Sequence, residues 1–154
     1  MLKIVDLKTE YRKNPYGIDN LSPRFSWKIV SDSRGVVQMS YRITVWDIRS
    51  GIQLWDSQTV YSRESQRIRY EGESLRSSQQ VDWQVEAECI DENGHREKAL
   101  SAVAEFTMGL LEKSDWKCYW IEPEKEINPK EYKPAPYLRK EFHVKEGLRS
   151  AVIY

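Results

Sequence analysis

Side chains that could do chemistry are plentiful in this chain, but their spacing does not assemble them. With 24 Asp and Glu among 154 residues, some acidic pairs fall close together by chance. Asp19 and Asp56 follow turn and strand residues, so Asp19 is expected in a loop and Asp56 on the wet side of a strand. His95 comes just after Asn93-Gly94, and His143 stands between Phe142 and Val144. Neither has the Cys or carboxylate spacing of a metal site, so no metal is expected and both read as surface histidines. No Ser/His/Asp or Cys/His arrangement supports nucleophilic catalysis, and no glycine-rich phosphate loop is present. The residues therefore suggest neither a catalytic group nor a cofactor.

The tryptophans are more informative, because an exposed indole can serve as a platform for a sugar ring. Trp27 and Trp83 keep phase with apolar neighbours two residues away and read as core. Trp46 is out of phase with Tyr41, Ile43 and Val45, so it faces outward or lies past a bulge. Trp116 and Trp120 sit where the strand pattern stops. For Trp46, Trp116 and Trp120 the first expectation is packing between domains, and the second is a sugar platform or other binding surface.

The elements that position these residues are strands. Phe25-Trp27-Ile29 and Tyr41-Ile43-Val45 alternate with polar residues, the period of two of a half-buried strand. Val81-Trp83-Val85-Ala87-Cys89 is the longest such run, with Asp82, Gln84, Glu86 and Glu88 on its other side. Cys89 closes that inward row as a small buried hydrophobe. Shorter strands are expected at Leu54-Trp55-Asp56-Ser57 and through Ile68 and Tyr70. Asn93-Gly94 suits a type I′ hairpin, in which both central residues need φ > 0, and Ala99 to Met108 reads as the returning strand. About seven short strands with regularly spaced turns predict an all-β, antiparallel sandwich of the immunoglobulin or fibronectin type III kind.

That sandwich is expected over 1–111, followed by a linker over 112–136, where Pro123, Pro129, Pro134 and Pro136 disfavour regular structure. Tyr137 to Val144 and Leu148 to Tyr154 then read as the first strands of a second β-domain that the chain does not complete. Two strands alone cannot bury a face, so this tail is expected to pair, including by self-association. Composition excludes some partners. Lys+Arg and Asp+Glu both number 24 and no block of one sign stands out, so neither nucleic acid nor an anionic membrane is an expected partner. Residues 1–6 lack the apolar stretch of a secretory signal, and two cysteines are too few for a disulfide framework. A cytoplasmic location is the resulting expectation.

Several runs, in order, resemble the N-terminal region of bacterial α-L-rhamnosidases of glycoside hydrolase family 78. They are Asn14-Pro15-Tyr16-Gly17-Ile18-Asp19, then Pro23-Arg24-Phe25-Ser26-Trp27, Tyr41-Arg42-Ile43-Thr44-Val45 and Leu54-Trp55-Asp56-Ser57. Tyr70-Glu71-Gly72, Phe106 to Leu111, Asp115-Trp116-Lys117 and Trp120-Ile121 complete the set. Two positions depart from it: Val81 stands where a Tyr is usual, and Gln58 where a Gly is usual. The resemblance implies a parent that inverts at terminal α-L-rhamnosides, without a cofactor, through two carboxyl groups roughly 6.5–9.5 Å apart. Those groups lie far C-terminal to this segment in the family, so no catalytic residue is carried onto this chain. It implies a non-catalytic accessory module that packs against the parent's later domains. The alternatives are an independent carbohydrate-binding module, or a fibronectin-like protein-interaction domain of an unrelated protein.

Overall fold

A computed structural model describes residues 1–122, 135–148 and 151–153, which fall into two units, Met1–Asp115 and Trp116–Tyr154. The first unit is a sandwich of two antiparallel sheets. Strands β1 (Leu2–Thr9), β2 (Arg24–Ser31) and β5 (Ile68–Arg69) form one sheet in the order β1-β2-β5. The other runs β4-β3-β6-β7, from β3 (Val37–Asp47), β4 (Gln53–Asp56), β6 (Gln80–Ile90) and β7 (Arg96–Leu100), with β8 (Ala104–Thr107) also on β6. Among the described residues no helix is long and apolar enough to cross a membrane.

The inward rows are those the alternation dictates. Phe25, Trp27, Ile43, Val45, Val81, Trp83, Val85 and Ala87 are at most 1% exposed. Aromatic contacts tie the two sheets together: Phe25 lies 4.4 Å from Trp83, and Trp27 meets Tyr41 edge-on at 5.2 Å. Each buried indole N–H has an acceptor, as a dry core requires. Trp83 donates to the Thr9 hydroxyl at 3.1 Å, and Trp27 to the Gln38 side-chain carbonyl at 2.9 Å.

Four elements differ from the sequence reading. Strand β1 forms where none is predicted: Leu2 and Ile4 point inward, but a bulge between Val5 and Lys8, with Asp6 at φ +54°, breaks the alternation. The Asn93-Gly94 hairpin joins β6 to β7 through a wider turn than type I′. Only Gly94 is left-handed, at φ +82°, because the Asp91 carboxylate caps the backbone N–H groups of Asn93 and His95, each at 2.9 Å. The single returning strand over Ala99 to Met108 is two strands. The Ser101 hydroxyl accepts the Val85 N–H at 3.1 Å, the chain loops out at Ala102-Val103, and pairing resumes at Ala104 opposite Trp83. Among the described residues no strand forms over Tyr137–Val144, at Leu148 or over 151–153. Residues 135–148 and 151–153 hold only a turn at Glu146-Gly147, as expected of segments with no sheet to join. Most of the proline-rich stretch, 123–134, lies outside the described residues, as do 149–150 and 154.

Two family-like runs are architectural. Asn14 to Ile18 lies along β8: the Asn14 side chain accepts from Glu105 N–H, Pro15 C=O from Thr107 N–H, and Ile18 C=O from Gly109 N–H at 2.7 Å. Where a corner Tyr is usual, Val81 is fully buried, and Tyr70 makes a comparable bond instead, its hydroxyl donating to Glu73 C=O at 2.7 Å. Burial pushes that phenol up to about 12.

Candidate functional site

Trp46 projects from the outer face of the larger sheet. Register places Gln53, Trp46, Asp82 and Glu105 side by side on β4, β3, β6 and β8. Both sequence alternatives hold in part. Trp46 does face outward, and the β3–β4 ladder shifts register between Val45 and Trp46 while the β3–β6 ladder continues unbroken there. The indole is half-buried rather than a bare platform. Beside it, Asp82 Oδ1 is shielded from solvent and has no hydrogen-bond partner. Burial raises the Asp82 carboxyl, and the Glu105 charge raises it further. An apolar ring thus adjoins an acceptor whose hydrogen bond is unmade, a costly state for a buried polar atom.

The way out of the sandwich is a pinned corner. Leu111 N–H donates to Ser77 Oγ at 2.9 Å, the Ser77 hydroxyl donates to Asp115, and Asp115 also accepts from Glu112 N–H at 3.1 Å. A cleft of about 770 Å³ opens here, with Leu21, Tyr70, Leu75, Leu111 and Glu112 among its walls. Trp116 and Trp120 belong to the second unit, not to the sandwich that carries Trp46. Trp116 is 51% exposed and Trp120 fully so, with Tyr119 and Ile121 exposed beside them.

The remaining polar groups have structural partners. Asp56 is less wet than expected, because Arg42 grips both its oxygens, at 2.9 and 2.5 Å. Asp19 is in an exposed loop. Asp47, which the sequence reading passed over, takes hydrogen bonds from Ser50 N–H at 2.7 Å, Gln79 Nε2 at 2.7 Å and the Ser50 hydroxyl at 2.9 Å. Those bonds hold its carboxyl at about 2 and close the β3–β4 turn. Its sequence signal is the Asp47-x-x-Ser50-Gly51 spacing, an Asp reaching forward to its own turn. His95 Nδ1 lies 3.3 Å from Asp91, and His143 is exposed in the second unit. Burial pushes the Cys89 thiol up, and Cys118 is exposed. Among the described residues no three His, Cys, Asp or Glu side chains are grouped to hold a metal.

Comparison with known proteins adds three results. A family model described as "Rha78A-like, N-terminal immunoglobulin domain" matches residues 4–112. An alpha-L-rhamnosidase of Alteromonas sp. (strain LOR) is 35% identical over 151 residues, covering 92% of this chain and 16% of that protein. Two solved structures share the fold: the alpha-L-rhamnosidase of Streptomyces avermitilis complexed with L-rhamnose, and that of Dictyoglumus thermophilum. The first has a TM-score of 0.69 and 30% identity, over 79% of this chain and 12% of that one. The second has a TM-score of 0.68 and 31% identity, over 80% and 14%. The chain therefore spans about a sixth or less of the length of these relatives.

Proposed function

Because the chain belongs to the family of Rha78A-like N-terminal immunoglobulin domains, we propose that it is a non-catalytic accessory module of an alpha-L-rhamnosidase. Its role on this reading is to pack against later domains of a parent that hydrolyses terminal α-L-rhamnosides. One observation carries the reading. Directly after a hydrogen-bonded exit corner, the chain presents Trp116, Tyr119, Trp120 and Ile121, with Tyr119 and Trp120 more than 90% exposed. Large apolar side chains so placed ask for a partner surface, and the parent's own downstream domains are the nearest one available.

The test is an assay with an aryl α-L-rhamnoside. The parent is expected to release aglycone and the 154-residue chain to release none; turnover by the purified chain sinks the proposal. The uncovered tail extends it. Tyr137, Leu138, Phe142 and Val144 are also exposed, so in isolation the chain is expected to self-associate through residues 116–154. Light scattering on the full chain and on residues 1–115 decides this, since a dimer that survives the deletion puts the contact on the sandwich.

A second reading, an independent carbohydrate-binding module, draws on Trp46 beside the unpaired Asp82 oxygen. Titration with L-rhamnose separates the two: heat that vanishes in Trp46→Ala favours binding, and its absence leaves packing.

A further inference from the structure

We infer that the outer face of the β1-β2-β5 sheet binds an acidic polysaccharide, gripping carboxylate or sulfate groups on the glycan. The choice of a glycan among polyanions rests on the carbohydrate-enzyme reading above; the charge of the face does not. The chain as a whole is neutral, but the fold sorts its charges. Pairing of Lys3 with Val30, Val5 with Lys28, Lys8 with Ser26, and Arg24 with Arg69 puts these residues on the solvent side, opposite the buried Ile4, Phe25 and Trp27. No strand position on that side carries a carboxylate; the acids that adjoin it are Asp6 in the β1 bulge, Glu10 just past β1, Asp32 just past β2 and paired with the N-terminal ammonium, and Glu64 and Glu71 in the hollow that Arg67 and Arg69 share, so cations remain in excess. The larger sheet's outer face instead carries Asp82, Glu86, Glu88 and Glu105, partly offset by Arg42, Arg96 and Lys98.

The bulge at Asp6 gathers cations. Its carboxylate holds the ammonium groups of Lys28 at 2.9 Å, Lys13 at 3.1 Å and Lys8 at 3.2 Å. One negative charge among three positive ones leaves an excess, and the mutual repulsion of the lysines is already overcome before a ligand arrives. Lys13 and Lys28 remain 68% and 64% exposed at the side chain. At the other end of the face Arg24 and Arg69 stand directly opposite each other, a like-charge pairing that costs a sheet stability. Glu10 occupies Arg24 at 2.7 Å, while Arg69 and the neighbouring Arg67 are exposed and have no ion pair among the described residues. Same-side positions two residues apart along a strand are roughly 7 Å apart, so the face offers spaced cations to a chain of repeating anionic groups. Its strand positions include no aromatic ring; Tyr11, just past β1, is exposed, but the Arg24 guanidinium sits over its ring at 5.1 Å where a base would stack, and the apolar members of the face, Val5 and Val30, are too small to anchor in a bilayer. A glycan fits better than nucleic acid or membrane.

The experiment is affinity electrophoresis and titration calorimetry of the whole 154-residue chain. The probes are polygalacturonate, dextran sulfate, neutral dextran, duplex DNA and phosphatidylserine vesicles. Binding to polygalacturonate or dextran sulfate, and not to dextran, is expected, and which of the two binds tells carboxylate from sulfate recognition. Raising salt from 0.1 to 1 M shortens the screening length from about 10 to about 3 Å and is expected to abolish binding. Reversing two exposed cations, Lys13→Glu with Arg69→Glu, is expected to weaken binding about twenty-fivefold, at roughly fivefold per site. Glu88→Lys on the opposite sheet is expected to change nothing. Should the double variant melt early, Arg69→Gln alone, which relieves a like-charge contact, carries the test with about a twofold loss. Equal affinity for dextran, binding indifferent to these substitutions, or tighter binding to DNA or vesicles overturns the inference. Absence of any binding also overturns it and leaves the accessory-module reading to the rhamnoside assay.

Discussion

Replacing Trp83 with Ala tests the packing that the alternation of β6 dictates. The side chain is fully buried, lies 4.4 Å from the Phe25 ring and donates its indole N–H to Thr9. A residual void on the order of 100 Å³, at about 24 cal/mol per Å³, costs about 2.4 kcal/mol. The lost ring pair adds about 1 kcal/mol and the lost hydrogen bond about another. The result sits within the roughly 3–5 kcal/mol typical of a buried Trp→Ala change, a large part of a domain's ~5–15 kcal/mol. At roughly 4 °C per kcal/mol, the melting temperature falls by about 12–20 °C. Thermal melts followed by far-UV circular dichroism read this without interference from the other five tryptophans, and Trp116→Ala supplies the control. Trp116 is half exposed and lies outside the sandwich unit, so its loss should stay within about 0.5 kcal/mol. If the two variants melt together, the inward assignment of β6 is refuted.

Three further substitutions probe the turns and the acid limb. In Gly72→Ala the new methyl would lie 2.4 Å from both Leu54 O and Trp55 Cβ, so a loss of about 2–3 kcal/mol is expected, read as a lower urea midpoint; an unchanged midpoint contradicts the contact. Gln58→Gly relieves a left-handed residue at φ +53°, worth about 1 kcal/mol, against roughly 0.5 kcal/mol of added chain entropy. A rise of about 2–3 °C is expected, and a fall refutes the strain. The Asp47 carboxyl titrates at about 2 when folded, against an ordinary 3.8, so its stabilisation is present above pH ~4 and lost as pH falls toward 2. Asp47→Asn should therefore cost about 2 kcal/mol at pH 7, by a margin that shrinks toward pH 2; a gap independent of pH sinks this account.

What the sequence made legible was whatever depends on the alternation of single residues. The inward rows of β2, β3 and β6 follow from apolar side chains at every second position, and the buried Trp27 and Trp83 follow with them. What escaped depends on backbone geometry that only tertiary contacts reveal. In β1 the rows Leu2-Ile4 and Leu7-Thr9 are out of step by one residue, and the alternation returns only once Asp6 is allowed to bulge. The break between β7 and β8 turns on one hydroxyl, Ser101, substituting for a backbone partner of Val85. The Asp91 carboxylate widens the Asn93-Gly94 turn for a similar reason: a short side-chain acceptor competes with the main chain for the same N–H groups.

The candidate site was half legible for a related reason. Trp46 could be singled out because one out-of-phase aromatic is visible in a list of residues. The unpaired oxygen of Asp82 beside it could not, since the strands that make the row are 36 residues apart in sequence and meet only through register. Charge was the least legible property of all. Composition sums Lys28 with Glu88 as if they cancelled, whereas the sandwich puts them on opposite sheets with a dry core between. Two charges separated by more than a screening length of about 8–10 Å do not neutralise each other for a ligand touching only one of them. Zero net charge thus excludes a protein that is basic overall, but not one with a basic face. That difference decides whether the β1-β2-β5 surface is a solvated exterior or a grip for a polyanion.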